Sequence, residues 1–256
     1  MSDPPFDLGV LRRQAVPLRV SFLHVPTAGG GAGPLSAFVR QRRAVAFDLL
    51  LFAHAMWALV DDELNAIVAS SEEWARAIGI EDAPGSRSAI SRAWTWLEEQ
   101  QLIETGRTAG TRARTVRILR EDGSGEAWTP AYQLREPYFS LSHYYWWGGF
   151  SRELSLAAKA MLLIGLSIES SSNDDFFEFP IERSSQWYGL SEASARKGLQ
   201  ELRSVRLLRT WGERRPSPQS RIGYAIDRRH GLIPLETAAR RREFRALPEA
   251  VPDPDG

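Results

Sequence analysis

Two stretches of the chain carry the same pattern, and an internal repeat constrains architecture before any single residue does. The first runs Trp74-Ala75-Arg76-Ala77-Ile78-Gly79-Ile80 and continues into a helical segment ending Leu97-x4-Leu102-Ile103-x-Thr105. The second runs Trp187-Tyr188-Gly189-Leu190 and continues into a segment ending Leu202-x4-Leu207-Leu208-x-Thr210. Each reads as a short helix, a Gly-apolar turn, a longer helix with a buried stripe, and a basic loop between two strands. The first copy carries a five-residue excess between its helices, Glu81 to Gly85.

A chain of 256 residues, 43% hydrophobic and 25% charged, has room for two such units with cores of their own. It has no cysteine, which excludes disulfides, thiolate metal sites and cysteine nucleophiles. His24, His54, His143 and His230 are scattered without metal-ligand spacing, so no metal or other cofactor is expected. No spacing links a nucleophile to a base, and the chain does not read as an enzyme. Met1 to Gln14 lacks a basic segment leading into an apolar one, so a cytoplasmic address is expected. Ala44 to Val60 is apolar except for Asp48 and His54. At 17 residues it is short for a membrane span and reads as a buried central helix, with a face open to a partner subunit in a homodimer.

The net charge is zero, but its distribution is uneven. Ser86 to Arg120 carries a net +4 and Ser191 to Arg229 a net +6, while acids collect at Asp61-Asp62-Glu63, Glu72-Glu73, Glu81-Asp82 and Asp174-Asp175. Both repeated basic segments suit a polyanion.

Residues 1–34 read as an arm with a strand at Leu18 to Val25 and a glycine linker that lacks the Gly-Lys-Ser/Thr ending of a phosphate loop. The first repeat unit spans 35–125, with a helix from Arg40 to about Val60, a short strand at Asn65 to Ala69, a helix capped by Ser70 or Ser71, and a third helix from Ser86 to Gln101. Residues 126–150 form a bridge holding Tyr132, Tyr138, Phe139, Tyr144, Tyr145, Trp146, Trp147 and Phe150, more aromatic than a free linker and expected to pack on both units. The second unit spans 151–231, with a helix at Leu154 to Ser167, a strand at Phe176 to Phe179, and helices at Ile181 to Tyr188 and Glu192 to Val205. Residues 232–256 hold a basic helix around Ala238 to Arg245 and a Pro-rich end. The fold class is mainly α with small β-hairpins, that is, α+β.

At 100° per residue, Ile90, Ala93, Trp94 and Leu97 share one face of the first third helix, and Ala195, Gly198, Leu199 and Leu202 hold the same positions in the second. The opposite faces show Arg87, Ser88, Ser91, Arg92 and Thr95 in one copy and Arg196, Lys197 and Gln200 in the other. Arg92 and Lys197 fall in the same register. Arg107, Arg112 and Arg114 lie in the first hairpin, and Arg214, Arg215 and Arg221 in the second. Long donors in the first turns of a helix suit base edges and phosphates, and hairpin arginines suit phosphates or a narrow minor groove. Trp74, Trp94, Trp96 and Trp187 read as packing residues.

Trp74 to Leu119 and Trp187 to Ile226 resemble winged helix-turn-helix domains, here in tandem and joined by the aromatic bridge. The pairing is similar to that of paired winged-helix plasmid replication initiators. The resemblance implies a three-helix core with a hairpin wing, and contacts from third helix and wing to double-stranded DNA. A sequence-specific DNA-binding transcriptional regulator is the leading expectation. A plasmid or phage replication initiator, or a winged-helix protein-interaction module that binds no DNA, are the alternatives.

Overall fold

The computed structural model describes residues 15–25, 31–57, 66–107, 113–172, 174, 176–216, 219 and 224–246. It is a mixed α/β structure whose sheets are small and antiparallel. β1 (Ala15–Arg19) leads into a single helical turn, α1 (Val20–Leu23), and then β2 (His24–Val25), which pairs with β3 (Gly31–Ala32). The strand expected from Leu18 to Val25 is therefore interrupted, because Phe22 and Leu23 turn inward to be buried. A further short helix, α2 (Leu35–Arg40), precedes α3 (Ala44–Met56), which lies within the helix expected from Arg40 to about Val60; the end of that expected helix falls outside the described residues. Between them Arg42 adopts φ +55° and the Arg43 amide donates back to the Phe38 carbonyl, which ends α2 without a glycine or proline to announce it.

The first copy proceeds through α3, β4 (Ile67–Ala69), α4 (Ser71–Ile78), α5 (Ser86–Glu99), β5 (Ile103–Arg107) and β6 (Arg114–Ile118), with a three-stranded sheet in the order β4-β6-β5. From Phe47 to Met56 every residue of α3 except Asp48 is buried, so it is a core helix. Among the described residues no helix is long and apolar enough to cross a membrane. α4 starts at a capping box: the Ser70 hydroxyl accepts from the Glu73 amide, and the Glu73 carboxylate accepts from the Ser70 amide.

The bridge contributes a 3-10 turn at Ala131–Gln133, then β7 (Tyr138–Ser142), α6 (Tyr144–Trp147) and α7 (Phe150–Glu153). The second copy follows with α8 (Leu156–Ser171), a 3-10 turn at Ile181–Arg183, α9 (Ser184–Tyr188), α10 (Glu192–Ser204), β8 (Leu208–Pro216) and β9 (Tyr224–Leu232). The strand expected at Phe176 to Phe179 is reduced to one bridge, Phe177 with His230. It occupies the place of the β4–β6 contact, Ile67 with Val116, in the first copy. α11 (Leu235–Ala246) closes the described chain.

The repetition extends to backbone detail. Gln101 and Arg206, the residues just past the third helices, both take left-handed conformations, φ +56° and +62°. The following amides return to equivalent carbonyls, Leu102 to Leu97 and Leu207 to Leu202. Gly79 and Gly189 each end the second helix at φ +76° and +71° and are each pressed from outside their own helix pair. The Arg152 side chain packs on Gly79 and its guanidinium donates to the Arg76 carbonyl at 3.1 Å. The Ser36 backbone of α2 lies where a Cβ on Gly189 would approach its oxygen to 2.8 Å.

The two copies share one continuous core. β1 pairs with β7 from Ala15 opposite Ser142 to Arg19 opposite Tyr138, so Ala15–Arg19 belong to the body of the structure. Arg19 is buried; it donates to the Glu121 and Glu136 carboxylates and to the Thr129 carbonyl. Between the first helices of the copies, Lys159 of α8 donates to both oxygens of Asp48 on α3, at 2.6 and 2.7 Å. Phe139, Leu141, Tyr145, Trp146 and Phe150 of the bridge are buried in the same core.

Two stability predictions follow from this arrangement. Lys159→Met leaves the largely desolvated Asp48 carboxylate without its cation and is expected to cost up to about 3–5 kcal/mol, while adding Asp48→Leu recovers most of the loss. Gly189→Ala meets both an unfavourable backbone conformation and the Ser36 carbonyl, so it is expected to cost more than the ~1–2 kcal/mol of left-handed backbone alone. Gly79→Ala, which meets only a long side chain, is expected to cost less. Urea unfolding of each variant measures these differences.

Candidate nucleic-acid interface

The apolar stripes fall where their spacing places them: Ile90, Ala93, Trp94 and Leu97 of α5 are buried, as are Ala195, Gly198, Leu199 and Leu202 of α10. Arg87, Ser88, Ser91, Arg92 and Thr95 are exposed on α5, and Arg196, Lys197 and Gln200 on α10. Trp74, Trp94 and Trp96 are buried, and Trp187 is half-buried and stacked on His24.

The two exposed faces differ in how far their donors are already used. On α5, Arg87 is paired with Glu72, and Arg92 donates to the Ser88 hydroxyl at 3.3 Å. The hydroxyls of Ser88 and Thr95 donate to the Gly85 and Ser91 carbonyls. In the hairpin, Arg114 donates to the Thr105 hydroxyl at 2.7 Å, which in turn donates to the Glu98 carboxylate at 2.6 Å. On α10, Arg196 meets Glu192 one turn earlier at 3.3 Å. Among the described residues, Lys197 and Gln200 make no hydrogen bond or ion pair. Arg214 lies over the Tyr224 ring at 4.9 Å, and Arg215 is exposed beside it. Arg112, Arg221 and the Arg107 side chain lie outside the described residues; Arg107 itself pairs with Arg114 across the hairpin.

Strand register aligns the two hairpins residue by residue. Thr105 pairs with Val116 in the first hairpin, and Thr210 with His230 in the second. Two residues earlier on the returning strand stand Arg114 and Arg228. On the third helices the spacing Leu97/Leu202 sets Ser91 opposite Arg196, Thr95 opposite Gln200, and Glu98 opposite Arg203. Copy two thus has arginine where copy one has a carboxylate, and histidine where copy one has a core valine.

The exchanged residues border a groove of about 480 Å³ beside α10, lined by Arg196, Gln200 and Arg203 from the helix, Arg228 and His230 from β9, and Glu178, Phe179 and Ile181 from the segment bridged to β9. His230 is buried, its Nδ1 lies 3.1 Å from the Thr210 hydroxyl, and its ring packs edge-on against Phe179. Burial, then the positive charges of Arg203 and Arg228, lower its pKa to about 4. Arg203, Arg228 and His230 escape a reading of one helix face at a time; their signal is the charge reversal that emerges only when the copies are aligned through the hairpins.

No family model, curated protein or solved structure matches the chain.

The depressed His230 has a defined consequence. The unfolded chain binds a proton near the ordinary value of 6.5, whereas the folded protein resists until about 4, so stability falls as pH drops through that window. Comparing His230→Gln with the parent isolates this contribution from those of Asp48 and His54. The variant's urea midpoint is expected to fall less between pH 7 and pH 5, and an identical fall would contradict the assignment.

Proposed function

We propose that the chain is a sequence-specific duplex DNA-binding protein built from two winged-helix units in tandem, with α10 and the β8–β9 hairpin as the principal contact and α5 and the β5–β6 hairpin as the weaker one. The observation that carries this reading is the matched pair of third helices. Each buries one stripe and turns long hydrogen-bond donors outward at the same register, Arg92 in one and Lys197 in the other. Each is followed by an antiparallel hairpin. Side chains so placed reach base edges from a helix lying in the major groove, while hairpin arginines follow the phosphates.

The inequality of the copies comes from the first copy's internal pairing. Arg87 and Arg114 are held by neighbours within their own copy, so DNA must displace those contacts, whereas Lys197 and Gln200 are available at once. Regulation of transcription is the activity that such binding serves most directly. Replication initiation is a second reading, favoured by the rigid joining of two reading helices through a shared core, which suits iterated sites at a fixed separation.

The test is selection of retained fragments from a pool of genomic duplexes at two salt concentrations, followed by sequencing. A shared motif surviving the higher salt is expected, at a promoter for a regulator or in an iterated array for an initiator. Retention of nothing, or of all fragments only at low salt, contradicts specific recognition. On the selected duplex, Lys197→Ala is expected to lower affinity by about 5- to 150-fold, the worth of one good base contact, and Arg92→Ala by less. Arg214→Ala with Arg215→Ala is expected to weaken binding to all sequences and to flatten the salt dependence by about two units of slope.

A further inference from the structure

In the first copy the Glu98 carboxylate accepts from both the amide and the hydroxyl of Thr105, and Arg114 donates to that hydroxyl. The arrangement is closed: anion, hydroxyl and guanidinium satisfy one another inside one copy. In the second copy the same three positions hold Arg203, Thr210 and Arg228, and the carboxylate is gone. Neither Arg203 nor Arg228 forms an ion pair with a described residue. Both line the groove with His230 and with Arg196, whose own partner is Glu192, so two unpaired guanidiniums and a paired one face a single lining carboxylate, Glu178.

Like charges gathered with too few counterions are unfavourable, and guanidinium forks match the oxygens of a phosphate group in pairs. Arg196, Gln200 and Arg203 recur at helical spacing along one stripe of α10, and Arg228 and His230 lie on one face of β9, so their donors converge from two sides. Thr210 occupies Nδ1 of His230, leaving Nε2 for a ligand. The volume, about 480 Å³, suits a compact small molecule.

We propose that this groove is a binding site for a small polyanion of the phosphate or pyrophosphate class, and that a bound anion opposes DNA by engaging Arg196 and Gln200. The anion takes the place that Glu98 fills in the first copy. The opposition to DNA rests on the DNA-binding reading above; anion binding does not. A DNA backbone phosphate offers the same chemistry, but two of the lining residues, His230 and Phe179, are buried, and a compact free anion reaches them more readily than a continuous strand.

The experiment is titration of the full chain with inorganic pyrophosphate, with chloride at matched ionic strength as control, following the imidazole signals by heteronuclear NMR. The His230 signal is assigned by its loss in His230→Gln. A His230 shift that saturates below about 1 mM is expected, and it is expected to be absent in Arg203→Glu, which restores the internal carboxylate of the first copy, and in Arg203→Ala with Arg228→Ala. Circular dichroism and urea unfolding verify that these variants remain folded. No saturable shift, a shift reproduced by chloride, or saturation retained in Arg203→Glu overturns the site.

In a parallel arm, pyrophosphate is expected to release a fluorescent selected duplex from the parent protein but not from the double alanine variant. If pyrophosphate does not bind and the double variant loses DNA affinity, the groove holds DNA phosphate and the small-anion assignment fails. If pyrophosphate saturates His230 while no duplex is bound, the anion site stands and both the opposition and the DNA-binding reading fall.

Discussion

The carboxylate of Asp48 and the ammonium of Lys159 meet where the first helices of the two copies approach each other. Both helices are buried along most of their length, so the pair sits in a low-dielectric setting where either charge alone would be costly. Burial raises the Asp48 pKa to about 6 even though Lys159 pulls the other way. A twofold hydrogen-bonded ion pair between α3 and α8 has one register. Around that register the core closes, with the bridge aromatics filling the space between the copies.

The repeat is structural in its frame and divergent in its polar chemistry. Turn glycines, left-handed residues after the third helices, and hairpin registers agree between copies because backbone geometry leaves few ways to join two helices and a hairpin. Side chains beside the third helices are under no such restriction. The first copy compensates its hairpin arginine internally through Thr105 and Glu98, and the second leaves its equivalents uncompensated. On the anion-site proposal, that difference of one counter-charge between the copies is what turns a closed structural contact into an opening for a ligand.

Local patterns were legible in the sequence where local physics decides them. The stripe of Ile90, Ala93, Trp94 and Leu97, the cap at Ser70 and the glycine stops each depend on neighbours within one or two turns. The α2–α3 break was not, because Arg42 adopts a conformation more usual for glycine. Pairing of Ala15–Arg19 with Tyr138–Ser142 joins segments more than a hundred residues apart, and no periodicity encodes a partner at that distance. The candidate face was readable as a set of exposed donors, and the five-residue excess from Glu81 to Gly85 put equal contact by both copies in question, but the pairing that sets the copies apart was not readable. Whether Arg87 or Arg114 is free depends on Glu72 and Thr105, whose positions follow from the tertiary fold.

The turns at Gly79 and Gly189 are each held by a residue outside their own helix pair, Arg152 from the segment leading into α8 and Ser36 from α2. Each turn is the pivot from which a third helix departs. A small rotation of one copy against the other therefore bears on both pivots, and the pitch of each third helix is geared to the angle between the copies. Distance between the two exposed third-helix faces and inclination of each face are then one mechanical variable; on the DNA-binding reading proposed above, a duplex with altered spacing would be met by helices that are also tilted.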